Sequence, residues 1–263
     1  MIIVKIGGGK GINAEGIIAD LAGLKEQFII VHGANAARDK LARDLNRPKK
    51  TLTSVSGYSS VFSDETAIDL MMMAYSGLRN KRLVELCQKH GINAVGLSGI
   101  DGRAIQGKRN VGIRIKDGDK VRIVRDFSGK PKSVNLNLLR ALVDSGYVPV
   151  LCPPIADETG CAINSENDDI VTVLQESLHA ETVIQLIEAP GFLERKENAS
   201  SLVKSISVAE LKAREESVEG RMKRKMLALT KLFGGSPTRV IISDGRTEHP
   251  VRDALGGAGT TIG

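Results

Sequence analysis

The sequence predicts an α/β fold, an open and mainly parallel sheet sandwiched by helices, with a β-hairpin inserted into it. Three observations lead there. Short apolar runs recur along the 263 residues with helical patterns between them, the alternation that builds parallel sheets covered on both faces. The first run, IIVKI, breaks at once into Gly7, Gly8 and Gly9 and then into a helical pattern, giving strand, glycine loop and helix. One stretch instead alternates apolar and polar residues around Asp117-Gly118, a hairpin signal.

Taken in order, residues 2–6 form the first strand and residues 12–24 a helix by apolar spacing. Residues 28–32 are an unbroken apolar strand closed by Gly33, and 36–45 a helix. Residues 64–89 read as one long helix; its apolar block Leu70 to Ala74 is buried on more than one side, as core or as a subunit interface. Residues 93–97 form a strand. In the hairpin, residues 112–116 and 120–124, Ile113, Ile115, Val121 and Ile123 should face inward, with Arg114, Lys116, Lys120 and Arg122 sharing the outer face. A helix over 135–145 leads into a strand over 147–151, which Pro153 and Pro154 should end. Helices over 168–178 and 217–233 and strands over 183–187 and 239–243 complete the series.

Composition narrows the class. At 41% hydrophobic the chain can bury a sizeable core, and no apolar run approaches the ~20 residues of a membrane span. The opening apolar stretch is too short for a secretory signal. Three cysteines, Cys87, Cys152 and Cys161, are odd in number and lack metal spacing, which points to a reducing cytoplasm and no zinc site. The net charge of +6 is concentrated: residues 102–132 hold ten basic and three acidic side chains. With no tryptophan and 3% aromatic residues, base-stacking platforms are disfavoured, so an acidic protein is a better partner for this patch than nucleic acid.

Chemistry gathers at loops. Glycines 7–9 allow backbone N–H groups close to a ligand, and the helix after them favours phosphate at its positive end. The lysine, Lys5, precedes the glycines on the strand, so neither common phosphate-loop spacing is met. VHGAN (31–35) repeats the strand-to-helix arrangement at an edge where open α/β sheets bind ligands. A polar cluster from Asn164 to Asp169 introduces a helix; it reads equally as a capping box. GRMKRK (220–225) places cations near a helix start, which suits a bound anion. SDGR (243–246) and GTTI (259–262) end the series.

In this order, VKIGGG, VHGA, the Asn164–Asp168 cluster, GRMKRK and SDGR…GTTI resemble the amino-acid kinase superfamily, in its acetylglutamate-kinase branch, over nearly the full length. Within that branch the chain is most similar to lysine-pathway kinases that phosphorylate α-aminoadipate held on an amino-group carrier protein. The stretches Gly57-Tyr58-Ser59-Ser60, Asn80 to Leu86, Ala94 to Gly102 and Gly220 to Lys225 carry that closer match. The resemblance implies a carbamate-kinase-like fold in a single domain, with an acceptor lobe over 1–165 and a nucleotide lobe over 166–263. It also implies ATP with Mg²⁺ and a homodimer. Lys5 would bridge the transferred phosphoryl group, Lys225 would stabilise charge on the leaving side, and Asp168 would hold both ammonium groups. Gly7, Gly8 and Gly9 would line the phosphates. Gly33, Ala34, Ser59 and Asn164 match substrate-binding positions, and Glu188, Gly191, Gly220, Met222 and Lys223 match the nucleotide side.

The chain departs from the family pattern at three places. Ala34 stands where relatives commonly have a second glycine, and Ile187-Glu188 where Ser-Asp or Ser-Asn is usual. Acetylglutamate enzymes carry an arginine aligned with Ser59 that grips the substrate's carboxylate, and no residue from Ser59 to Val61 replaces a bidentate guanidinium. These features favour an acceptor borne on a small acidic carrier, docked by Arg114, Lys116, Lys120 and Arg122, over free acetylglutamate. A conventional acetylglutamate kinase is the alternative, and a catalytically silent nucleotide-binding regulator the lesser one.

Overall fold

The computed structural model describes residues 1–55, 59–117, 120–195, 198–217, 227, 229–233 and 238–263. Its main sheet runs, edge to edge, through β13 (Ser205–Ile206), β15 (Thr260–Ile262), β14 (Arg239–Asp244), β12 (Thr182–Ile187), β1 (Ile2–Ile6), β2 (Phe28–His32), β10 (Val148–Ala156), β6 (Ile105–Arg109) and β9 (Gly129–Val134). The strands β5 (Ala94–Gly99) and β11 (Ala162–Ile163) also pair with β10. The central pairs are parallel, and antiparallel pairing enters at β14–β15, β6–β9 and β10–β11. The mainly parallel sheet expected from the alternation is therefore present.

Every residue of β1 and β2 is buried, because helices cover both faces. Ile2, Val4 and Ile6 join a core with α1 (Ala14–Ala22), α4 (Asn80–Lys89) and α8 (Pro250–Leu255), through Ile17, Leu21, Leu83 and Val251. Ile3 faces the other way, into a core with α5 (Leu136–Asp144), α6 (Asn167–Leu178) and α7 (Val208–Ser217), through Leu139, Ile170, Leu174 and Leu211. The period of two along a strand puts Lys5 on the α6 side with Ile3.

The long helix is present as α3 (Glu65–Met71), a π-helical segment (Met72–Arg79) and α4 in direct succession. Asp64 caps it, accepting from the Ala67 N–H at 2.9 Å. The apolar block divides: Leu70, Met71 and Ala74 are buried, whereas Met72 and Met73 are exposed, as is Leu78. No helix among the described residues is long and apolar enough to cross a membrane.

Two expectations are corrected. The strand β10 runs through Pro153 and Pro154 to Ala156. Its pairing with β5 ends at Cys152, and pairing with β11 and β6 begins at Ile155 and Ala156, so neither proline stands where these ladders need an N–H. The hairpin of β7 (Ile113–Asp117) and β8 (Lys120–Val124) does not gather its cations on one face. Asp117 pairs with Lys120, leaving two residues between the strands, and this register sets Arg114 opposite Ile123 and Lys116 opposite Val121, with Ile115 opposite Arg122. Opposed residues share a face, so apolar and basic residues mix on both. Val121 and Ile123 are 48% and 66% exposed. The expected turn residue Gly118 lies outside the described residues. Lys108, Arg109 and Lys130 of the basic window belong to a second ladder, β6 with β9.

The first helical turn of α8 has no side-chain cap of its own. Asp20 of α1 supplies it, accepting from the N–H groups of Val251 and Arg252, both at 3.0 Å. Asp20→Ala should lower unfolding free energy by about 2 kcal/mol, read as a shifted urea midpoint at constant slope; an unshifted midpoint would contradict this role.

Candidate active site

The loops after four neighbouring strands are stitched together at one sheet edge. The Gly7 N–H donates to the Leu186 carbonyl at 2.9 Å, Gly245 N–H to Ile187 at 2.8 Å, and Asn13 N–H to Gly245 at 2.7 Å. On the other side, Gly33 N–H donates to Ile6 and Ala36 N–H to Gly8, both at 2.9 Å. A Cβ at Gly8 would stand 2.6 Å from the Asn35 nitrogen and 2.7 Å from that of Ala34. Only glycine lets these two loops meet, which places main-chain donors of both side by side.

Lys5 lies beneath this loop, 8% exposed, and its ammonium is bonded to the Asp168 carboxylate. Asp168 sits in the first turn of α6, where the helix dipole favours an acid. Beside it, the Oδ1 of Asn167 and the Oγ of Ser165 are buried without a hydrogen-bond partner. The Asn167 carboxamide nitrogen is 3.2 Å from where a Cβ of Gly33 would be. Orphaned polar atoms next to a glycine cradle are groups that a polar ligand satisfies.

Glu188 closes the other side. Its carboxylate accepts from the Gly11 N–H at 2.6 Å, and a Cβ at Gly9 would be 1.9 Å from it. A carboxylate in this position competes with any phosphate for the loop's donors. Arg246 flanks the same loop. It is held by Asp244 at 2.7 and 2.8 Å, and hydrogen bonding to Arg246 keeps the Asp244 carboxyl below the usual range.

The VHGAN loop rests on buried polar and apolar support. The Ala34 side chain is buried in a cluster with Met71, Ala74, Tyr75 and Cys152. The Tyr75 hydroxyl donates to Asn35 Oδ1, and burial pushes its pKa up to about 12. His32 is fully buried. Asn80 donates to His32 Nε2 at 3.2 Å and to the Val150 carbonyl at 2.9 Å. The imidazole therefore carries its proton on Nδ1, 3.3 Å from the Gly33 carbonyl.

Asn164 lies at the start of the polar cluster that leads into α6. Its carboxamide donates to Ser63 Oγ at 3.0 Å, which brings it beside the segment that follows β4 (Ser59–Val61). Of the residues expected at the site, the structure thus brings together Lys5, Gly7, Gly8, Gly9, Gly33, Ala34, Asp168 and Glu188. Gly191 packs against Leu202 and Thr260. Gly220, Met222, Lys223 and Lys225 lie outside the described residues. Sequence reasoning missed Ser63, Tyr75, Asn80 and Asn167. Asn167 had a signal in its place inside the polar cluster, and Asn80 in the stretch from Asn80 to Leu86 that carries the closer match.

Burial lowers the His32 pKa from 6.5 to about 3. The unfolded chain binds this proton first, so the contribution of neutral His32 to stability is complete above pH 6.5 and is lost as pH falls toward 3. The linkage amounts to as much as ~5 kcal/mol. His32→Gln should flatten the acid limb of a stability–pH curve; an unchanged limb would contradict the buried neutral imidazole.

The amino acid kinase family model matches residues 1–244. A [LysW]-aminoadipate kinase of Thermus thermophilus is 40% identical over 268 residues, covering the whole of both chains. A chloroplastic acetylglutamate kinase of Arabidopsis thaliana is 32% identical, over 99% of this chain and 74% of that protein. Among solved structures, a carbamate kinase of Giardia superposes with a TM-score of 0.66 at 14% identity, over 99% of this chain and 97% of the other, a likeness of fold alone. On the full-length match and the site at the sheet edge, this chain belongs to the amino acid kinase family.

Proposed function

We propose that this chain transfers the γ-phosphoryl group of ATP to the side-chain carboxylate of α-aminoadipate borne on a small acidic carrier protein, in cytoplasmic lysine biosynthesis. Carrier-bound glutamate, in arginine biosynthesis, is a second acceptor. The observation that carries this reading is the full-length 40% identity to the Thermus enzyme, whose name specifies LysW-linked aminoadipate. The Lys5–Asp168 ion pair under a glycine loop supplies matching chemistry.

In the proposed reaction an acceptor carboxylate oxygen attacks the γ-phosphorus in line. The new oxygen–phosphorus bond forms as the bond to the β-phosphate oxygen breaks, leaving an acyl phosphate and ADP. Such transfer rests on positioning and charge neutralisation. The ammonium of Lys5 neutralises the transferring group, and Asp168 keeps that ammonium aimed from below. Glycines 7–9 line the phosphates: Gly7 anchors the loop through its N–H on Leu186, the N–H groups of Gly8 and Gly9 donate to phosphate oxygens, and that of Gly11 joins them once Glu188 releases it. Lys225 acts on the leaving side, with Gly191, Gly220, Met222 and Lys223 on the nucleotide lobe of 166–263. Gly33, Ala34, Ser59 and Asn164 hold the acceptor on the lobe of 1–165. Among the described residues no three His, Cys, Asp or Glu side chains converge on a metal site. Mg²⁺ would arrive with the nucleotide and supply charge neutralisation at its phosphates.

The carrier docks on the ribbon of β7 and β8, where Arg114, Lys116, Lys120 and Arg122 steer an acidic surface and the exposed Val121 and Ile123 add apolar contact. A coupled ADP assay should show turnover of carrier-linked aminoadipate that weakens sharply from low to physiological salt. Lys5→Ala serves as the inactive control. The likeness to the Arabidopsis acetylglutamate kinase supports a second reading, and equal turnover of free N-acetylglutamate would favour it.

A homodimer fits the exposed Met72, Met73 and Leu78 on the long helix together with Leu45. Met73→Glu with Leu78→Glu should yield monomers by sedimentation, and an unchanged sedimentation coefficient would rule out this face.

A further inference from the structure

Asp126 is a buried carboxylate, 2% exposed, that the phosphoryl-transfer steps do not use. It follows β8, between the charged hairpin and β9. Its Oδ1 accepts from the N–H of Ser128 at 3.1 Å and from the Ser128 hydroxyl at 2.5 Å. Its Oδ2 accepts from the N–H of Ser63 at 3.1 Å. The Ser63 carbonyl in turn accepts from the Phe127 N–H at 2.8 Å, so Ser63 is tied through both main-chain groups to residues 126 and 127. Arg109 completes the clamp. Its Nε donates to the Asp126 carbonyl at 2.9 Å, and its guanidinium lies 4.0 Å over the Phe127 ring.

All these contacts converge on Asn164. The Asn164 N–H donates to the Phe127 carbonyl at 2.7 Å, its carbonyl accepts from Gly129 at 2.9 Å, and its carboxamide donates to the hydroxyl of Ser63. The carboxamide orientation thus depends on where Ser63 stands, and the Asp126 carboxylate helps set where Ser63 stands. We infer that Asp126 is a positioning residue for the acceptor: through Ser63 it aims the Asn164 carboxamide, joining the root of the charged hairpin to the group that receives the acceptor's carboxylate.

This inference rests on the proposed function for the role of Asn164. A carboxylate offers only acceptors to its three donors. Asp126→Asn keeps size and shape, yet its amide group sets a donor against either the Ser63 or the Ser128 N–H. Ser63→Ala removes only the hydroxyl that orients Asn164. Steady-state kinetics with carrier-linked aminoadipate should show the acceptor KM raised about tenfold in both variants, the loss of roughly one buried hydrogen bond. The KM for ATP should change less than twofold. Adding Ser63→Ala to Asn164→Ala should cost nothing beyond Asn164→Ala alone, because both remove one linkage.

An acceptor KM within twofold of wild type in both variants, with only a lower melting temperature, would make Asp126 a purely structural residue and overturn the inference. Multiplicative losses in the double variant would do the same. If Asp126→Asn does not fold, Ser63→Ala and its combination with Asn164→Ala decide. A wild-type enzyme that ignores the carrier conjugate and phosphorylates free N-acetylglutamate would refute the proposed function instead. The same KM comparison on that acceptor would still test Asp126.

Discussion

The ion pair between the buried Lys5 and the half-buried Asp168 is the constraint around which the rest of the site is arranged. An ammonium and a carboxylate withdrawn from water cost several kcal/mol each unless they meet in good geometry. The partners are 163 residues apart in the chain. Their meeting requires β1 to keep its phase, with Lys5 on the same face as Ile3. It also requires α6 to seat Ile170, Val171 and Leu174 against that face. A slip of one residue in β1 would turn Lys5 into the opposite layer, among Ile17 and Leu83. Lys5 is thus held by the same packing that closes the core.

Above that pair, two loops of opposite chemical character share a small space. The glycine loop presents N–H donors, while Glu188 and Asp244 bring acids to its rim and Arg246 sits beside them. In this arrangement the Glu188 carboxylate engages a main-chain donor of the loop, and Arg246 is paired with Asp244 at the rim. The VHGAN loop is supported differently, from behind, by the neutral His32 and by Asn80. Gly96 shows how closely that support is fitted: a Cβ there would lie 1.9 Å from Asn80 Oδ1.

The acceptor side depends on a polar framework more than on apolar packing. Ser63, Asp126, Ser128 and Asn164 come from three chain segments that meet where the hairpin leaves the sheet. Charge on the exposed ribbon and order at the acceptor group therefore share one root. The ribbon mixes cations with the exposed Val121 and Ile123, so a partner docked there, as proposed, would meet both long-range attraction and short-range contact, which a purely basic face would lack.

Much of this was legible from residue order alone. The doubly covered strands β1, β2 and β12 declare themselves as short, mostly apolar runs, Asp64 and Asn135 announce helix starts, and the glycines mark the tight loops at one sheet edge; each is local chemistry, settled within a few residues. By contrast, β6 (IQGKR) and β9 (GKPKSV) have no apolar period to read and become strands because each completes the other's ladder. The sharing of hairpin faces turned on whether two or three residues separate β7 from β8, a difference that reverses every side chain while leaving the alternation intact. The partners of Lys5, His32, Asn164 and Asp126 lie at long range, where charge and hydrogen-bond geometry are set by how layers pack. Sequence by itself determined the order of strands, loops and helices and the presence of a lysine beside a phosphate-type loop. Tertiary structure alone decided which groups meet it, because burial forces each polar atom to find a partner that chain proximity cannot supply.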